Sequence, residues 1–172
     1  MNFIQNYDRA QNIFSDLIEQ FLQAGIPLPR RQIDRTLYLT RASTRLGSCK
    51  KENGIYRISL SVYILKDEKT VRNTLAHELV HTCRGCMNHG ANFRRIGHQV
   101  ENMLGISVNR TASREESEQS GIRDAYRQKV RYEIRCIKCG NSYYRQKKSA
   151  LVKNPERYRC DKCGGRLYVE EV

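Results

Sequence analysis

The amino-acid sequence predicts an α+β fold in two parts, helices packed on a short antiparallel sheet followed by a small β ribbon held by metal. Three observations carry that prediction. Apolar residues recur at helical spacing in three stretches before residue 105, with β-prone alternating stretches between the first and second. Two C-x-x-C pairs, Cys136/Cys139 and Cys160/Cys163, stand near the C-terminus with twenty residues between them. Between these regions, residues 106–124 nearly lack large apolar side chains. The chain therefore divides into a domain over 1–110, a linker over 111–124 and a ribbon over 125–172.

Length and composition agree with this division. A chain of 172 residues holds one domain of ordinary size plus a small module. There is no Trp, so the core relies on Leu, Ile, Val, Tyr and Phe. No apolar run approaches the roughly 18 residues of a membrane span. The N-terminus lacks a charged segment followed by an apolar one, so no secretion signal is expected. The expectation is a monomer in the cytoplasm, nucleoid-associated if bacterial, with no membrane partner. Seven cysteines are an odd number, and the four in the two C-x-x-C pairs read in such a chain as thiolate ligands rather than a disulfide framework. A net charge of +13 favours a polyanionic partner, and nucleic acid is the commonest one.

The elements follow in order. Ile13, Phe14, Leu17, Ile18, Phe21 and Leu22 make an apolar stripe over residues 7–24, with Asp16 and Glu19 facing away. This helix ends at Gly25 and packs in the core. Residues 35–63 read as two or three strands, including Leu37–Thr40 and Gly54–Leu60 after a Lys-Lys-Glu-Asn-Gly turn. Leu46-Gly47-Ser48-Cys49 lies between them, and Cys49 is either a small buried residue or a reactive thiol. A second helix, capped by Asp67 or Thr70, carries Val71, Leu75, Leu79 and Val80 on one side. Gly85 and its neighbours end it. A third runs over 91–104 with Phe93, Ile96, Val100, Met103 and Leu104 at helical spacing, closed by Gly105.

The second helix holds His77-Glu78-Leu79-Val80-His81, an H-E-x-x-H motif. Four residues apart on a helix, His77 and His81 share a face about 6 Å apart in rise, so their imidazoles can converge on one metal ion. Glu78 points roughly 100° away from His77, where a carboxylate can take a proton from a water without occupying a ligand position. Three candidates exist for the third ligand: His89 just before the neighbouring helix, and His98 and Glu101 within it. Cys83 and Cys86 form another C-x-x-C, with no second pair beside it, and read as part of a connecting loop.

The order of helix, strands with Leu46-Gly47-Ser48-Cys49, H-E-x-x-H helix and His89-Gly90-x-x-Phe93 resembles the SprT-like metalloprotease family, a family that includes a DNA–protein crosslink protease. The resemblance covers about residues 6–105. It implies a zincin-type domain in which His77, His81 and His89 bind a catalytic zinc and Glu78 is the general base. The chain departs from the family at Asn92, where an acidic residue is frequent.

Past residue 125, Val130, Tyr132 and Ile134 alternate with charges, then come the four cysteines and a last strand at Arg166–Val169. Cys136, Cys139, Cys160 and Cys163 have the spacing of a zinc ribbon, with four thiolates closing a structural shell. Two zinc ions are therefore expected, one catalytic and one structural. Between Arg123 and Arg166 there are fourteen Lys and Arg against four Asp and Glu, interleaved with tyrosines. Lys138, Tyr143, Tyr144, Arg145, Lys147, Lys148, Arg157 and Arg159 are the candidate nucleic-acid contacts. They offer cations for phosphates and aromatic faces for unstacked bases, a surface that tolerates single strands. The functional expectation is a zinc peptidase hydrolysing proteins bound or crosslinked to DNA. Two other classes stay open: a nucleic-acid-binding adaptor with a non-catalytic zinc, and a general cytosolic metallopeptidase with a docking ribbon.

Overall fold

The computed structural model describes residues 2–108 and 129–172, and the chain forms two compact units, Met1–Arg123 and Asp124–Val172. The linker expected over 111–124 lies outside the described residues. The fold is α+β.

In the first unit, helix α1 spans Phe3–Gln23, starting earlier than its apolar stripe indicated. Asn2 explains the extra turn. Its side chain accepts from the Gln5 amide at 3.0 Å while the Gln5 side chain accepts from the Asn2 amide at 3.1 Å, a capping box that satisfies two end donors. Ile13, Phe14, Leu17, Ile18 and Phe21 are buried, and Asp16 and Glu19 are exposed.

Three strands follow: β1 (Tyr38–Thr40), β2 (Gly47–Glu52) and β3 (Ile55–Ser61), in the order β1-β3-β2. β2 and β3 form an antiparallel hairpin around a two-residue Asn53–Gly54 turn, so Lys50, Lys51 and Glu52 belong to the strand and not to the turn. The sheet is mixed rather than wholly antiparallel, because β1 joins β3 in parallel, with Tyr38 opposite Ser59. Helix α1 sets that direction. The Tyr7 hydroxyl donates to the Leu37 carbonyl at 3.1 Å, and the Gln11 side chain accepts from the Leu37 amide at 2.8 Å. Buried Leu37 then leads straight into β1.

Helix α2 spans Glu68–Thr82. Asp67 is the cap, accepting from the Thr70 amide at 3.2 Å and the Thr70 hydroxyl at 2.6 Å. Val71, Leu75, Leu79 and Val80 are buried with Phe14, Leu17, Ile58 and Leu60 in one core. Each such side chain contributes roughly 1.5–3 kcal/mol on burial. The helix stops at Thr82, before Gly85, because Cys83 is already extended. Helix α3 (Ala91–Leu104) buries Phe93, Ile96 and Val100, but Met103 is exposed, and Ile106 and Val108 return to the core in its place.

In the second unit, β4 (Tyr132–Cys136) lies between β5 (Ser142–Arg145) and β6 (Leu167–Glu171), antiparallel to both, with a short helix α4 (Ala150–Lys153). Its core is small: Ile134, Val152 and Leu167 together with Cys136 and Cys160. No described helix is long and apolar enough to cross a membrane.

Candidate metal centres

On α2, His77 and His81 stand one turn apart, and the turn before α3 brings His89 to them. The Nε2 atom of His77 lies 3.2 Å from Nε2 of His81 and 3.0 Å from Nε2 of His89. Phe93 stands against all three rings, with centroid separations of 4.6–4.9 Å. On the other side of His81, Nδ1 lies 2.7 Å from the Cys86 carbonyl oxygen. A carbonyl can only accept, so Nδ1 carries the proton and Nε2 presents its lone pair to the cluster. Burial lowers the pKa of His81, against the Cys86 carbonyl, which favours the charged ring. A ligand must be neutral, and burial favours that form of the ring.

These residues fit a metal ion. Two nitrogens bound to tetrahedral zinc at ~2.05 Å are about 3.3 Å apart, close to the separations here. Three convergent imidazole nitrogens, one of them fixed as an acceptor, are a donor set for a cation. His98 and Glu101 are not brought in. His98 Nδ1 pairs with a Glu101 carboxylate oxygen at 3.4 Å, and the other oxygen of Glu101 accepts from the Val108 amide at 3.2 Å. The residue that joins the H-E-x-x-H histidines is His89.

Glu78 is only 7 % exposed and faces the start of β2. Burial pushes its pKa up to about 7, opposed by the positive charge of Arg45 and by the Cys49 backbone beside it. Cys49 itself is a half-buried, inert thiol, pushed up to about 12 by burial and then by the Glu78 charge. Cys83 and Cys86 are buried in the core, and burial raises both thiols. They are not in the metal cluster. What matters in this connection is the backbone carbonyl of Cys86, which no side-chain pattern reveals. Phe93 was legible as a core residue of a helical stripe and as the end of the His89-Gly90-x-x-Phe93 element, but its place against all three histidine rings was not.

The SprT-like family model matches residues 10–114. This chain belongs to the SprT-like family. No curated protein matches it. SprT-like membership gives the histidine cluster a metallopeptidase-like setting, and the match takes in His77, Glu78, His81 and His89 but ends before the ribbon.

The second site lies in the ribbon of this SprT-like chain. Cys136 and Cys163 sulfurs are 3.5 Å apart and Cys139 and Cys160 sulfurs 3.6 Å apart. All four converge within 4.8 Å and none is in a disulfide. A tetrahedral zinc with ~2.3 Å bonds puts its sulfurs about 3.8 Å apart, so these residues also fit a metal ion. Gly140 and Gly164 follow each pair with φ of 68° and 69°, and their amides return to the Cys136 and Cys160 carbonyls at 2.9 and 2.8 Å. That left-handed turn, which suits glycine, lets both sulfurs of a pair face the same way.

The candidate nucleic-acid residues separate into groups. Lys138, Tyr144, Lys147, Lys148, Arg157 and Arg159 are exposed. Arg145 is half-buried and donates to the Tyr144 carbonyl at 2.8 Å. Tyr143 departs from the expected base-facing role. Neighbours in a strand face opposite ways, and its ring is packed against the ribbon core. Its hydroxyl lies 3.3 Å from Cys160 Sγ, donates to the Asp161 carboxylate and accepts from the Asp161 amide at 3.3 Å.

Proposed function

We propose that this protein is a zinc-dependent peptidase that hydrolyses proteins bound or crosslinked to DNA. The observation that carries the reading is the convergence of three imidazole nitrogens beside a buried carboxylate one residue along the same helix. Zinc held by His77, His81 and His89 would lower the pKa of a water towards roughly 7 and polarise the scissile carbonyl. Glu78 takes the proton of the attacking water and returns it to the departing amine. Burial and the Cys49 amide pull its proton affinity in opposite directions, which suits a group that must both accept and donate. Cys86 keeps His81 in the ligating tautomer, and Phe93 keeps the three rings from turning. Cys136, Cys139, Cys160 and Cys163 would hold a second, structural zinc. DNA as the partner is supported by the family, by the net charge of +13 and by the exposed cations of the ribbon.

The test is cleavage of one protein presented free and crosslinked to DNA. The crosslinked form should be cut faster, and Glu78→Gln should keep its zinc and fold while cleavage falls by a factor on the order of 10² or more. Undiminished cleavage by that variant takes the proton transfer away from Glu78. Equal rates on the two substrates leave a general peptidase, and DNA binding without any cleavage leaves an adaptor.

A further inference from the structure

Gly47 lies where β2 crosses α2. A methyl group built on it would fall 2.7 Å from Thr74 Cγ2, 3.0 Å from Glu78 Cγ and 3.0 Å from a Glu78 carboxylate oxygen. Its φ is outside the left-handed region, so the backbone would accept alanine. Only the close approach demands glycine. Thr74 and Glu78 are one turn apart on α2 and share a face. The strand thus rests in the notch between them, against the carboxylate side chain itself.

Neither partner can easily withdraw. Gly47 is paired with fully buried Leu60, and the preceding Leu46 carbonyl accepts from the Ser61 amide at 2.7 Å. The helix is fixed by Leu75 and Leu79, both without exposure. Two residues along the strand, the Cys49 backbone stands beside Glu78 and lowers its pKa. With both backbones anchored, the part able to yield is the Glu78 side chain. We infer that Gly47 is a positioning residue for Glu78: by lacking a side chain it lets β2 approach closely enough for the Cys49 amide to hold the carboxylate beside the histidine cluster. This rests on the proposed role of Glu78 and deepens it, since the strand, as well as the helix that carries Glu78, then sets where the proton acceptor stands.

A substitution at Gly47 alone would mix this effect with the clash against Thr74. The full-length, zinc-loaded protein is therefore compared as Gly47→Ala, Thr74→Ser and the two combined, each with Glu78 and with Glu78→Gln. Thr74→Ser deletes only the methyl that the added alanine side chain would strike first, so the combined variant isolates the contact with Glu78. It should keep the zinc content and the melting temperature of Thr74→Ser. Its kcat should fall about tenfold to a hundredfold, as displacements of an ångström or less produce, with KM little changed. In the Glu78→Gln background the same pair of changes should alter the residual rate less than about twofold, since residues acting as a unit are non-additive. The Cys49 amide proton, read by NMR, should lose the downfield shift that a carboxylate acceptor gives. An unmoved amide resonance, or the same fractional loss of rate without Glu78, overturns the inference. If instead Glu78→Gln cleaves at the wild-type rate while the amide still moves, the catalytic reading fails and the positioning stands.

Discussion

Glu78 is a carboxylate placed where water hardly reaches, and that alone has a measurable cost. Its pKa is pushed up to about 7 by burial, from an ordinary 4.5. The folded chain therefore holds this proton more tightly than the unfolded chain. The stability associated with it is complete below pH 4.5 and is lost as pH rises through 7. In zinc-free protein, Glu78→Gln should match wild type near pH 4.5 and exceed it by on the order of 3 kcal/mol at pH 8. Urea melts of both proteins at the two pH values check this, and a gap that does not widen with pH contradicts it. His81 also titrates, with its pKa lowered by burial, but it is present in both proteins and drops out of the difference.

At the scale of elements, the ribbon is a sheet of three short strands around a handful of apolar side chains, too little to fold without help. Cys160→Ser should lower bound zinc from two ions to one and unfold the ribbon, leaving the helices of the first unit intact. Metal analysis with amide NMR reads both effects, and a ribbon that stays folded with three sulfurs contradicts the expectation. Local sequence made some elements plain. The apolar stripes located α1, α2 and α3, and cysteine spacing located the ribbon, because periodicity and ligand spacing act over a few residues. Where the determinant was a distant partner, the sequence was silent. β1 runs parallel to β3 because Tyr7 and Gln11 fix the backbone at Leu37, thirty and twenty-six residues away. The first turn of α1 carries exposed Phe3 and Ile4, so no stripe marked it. The same contrast holds in the candidate site. H-E-x-x-H was visible by spacing and His89 by family resemblance, whereas the Cys86 carbonyl is a backbone atom that no residue type marks, and the notch occupied by Gly47 arises only when strand and helix meet.

For the whole molecule, the proposed function gives the two compact units different tasks. Residues 1–110 carry sixteen Lys and Arg against nine Asp and Glu, so they should retain weak, salt-sensitive DNA affinity when residues 125–172 are removed. The deletion should lower affinity and flatten the slope of log K against log salt. It should spare cleavage of a free unfolded protein and sharply reduce cleavage of a DNA-crosslinked one. Equal loss on both substrates would make the ribbon a structural support instead, and unchanged DNA binding would place the nucleic-acid surface in the first unit. The inequality of the two cores also governs how the molecule meets metal starvation. The first unit has an extensive apolar core of its own and should keep its fold, though idle, when its three histidines are empty. The ribbon has no such reserve, and losing its ion turns the tail into a loose cationic chain. On the proposed function, a cell short of zinc would thus hold a population of distinct species, some silent but still tethered, others competent but adrift from their templates.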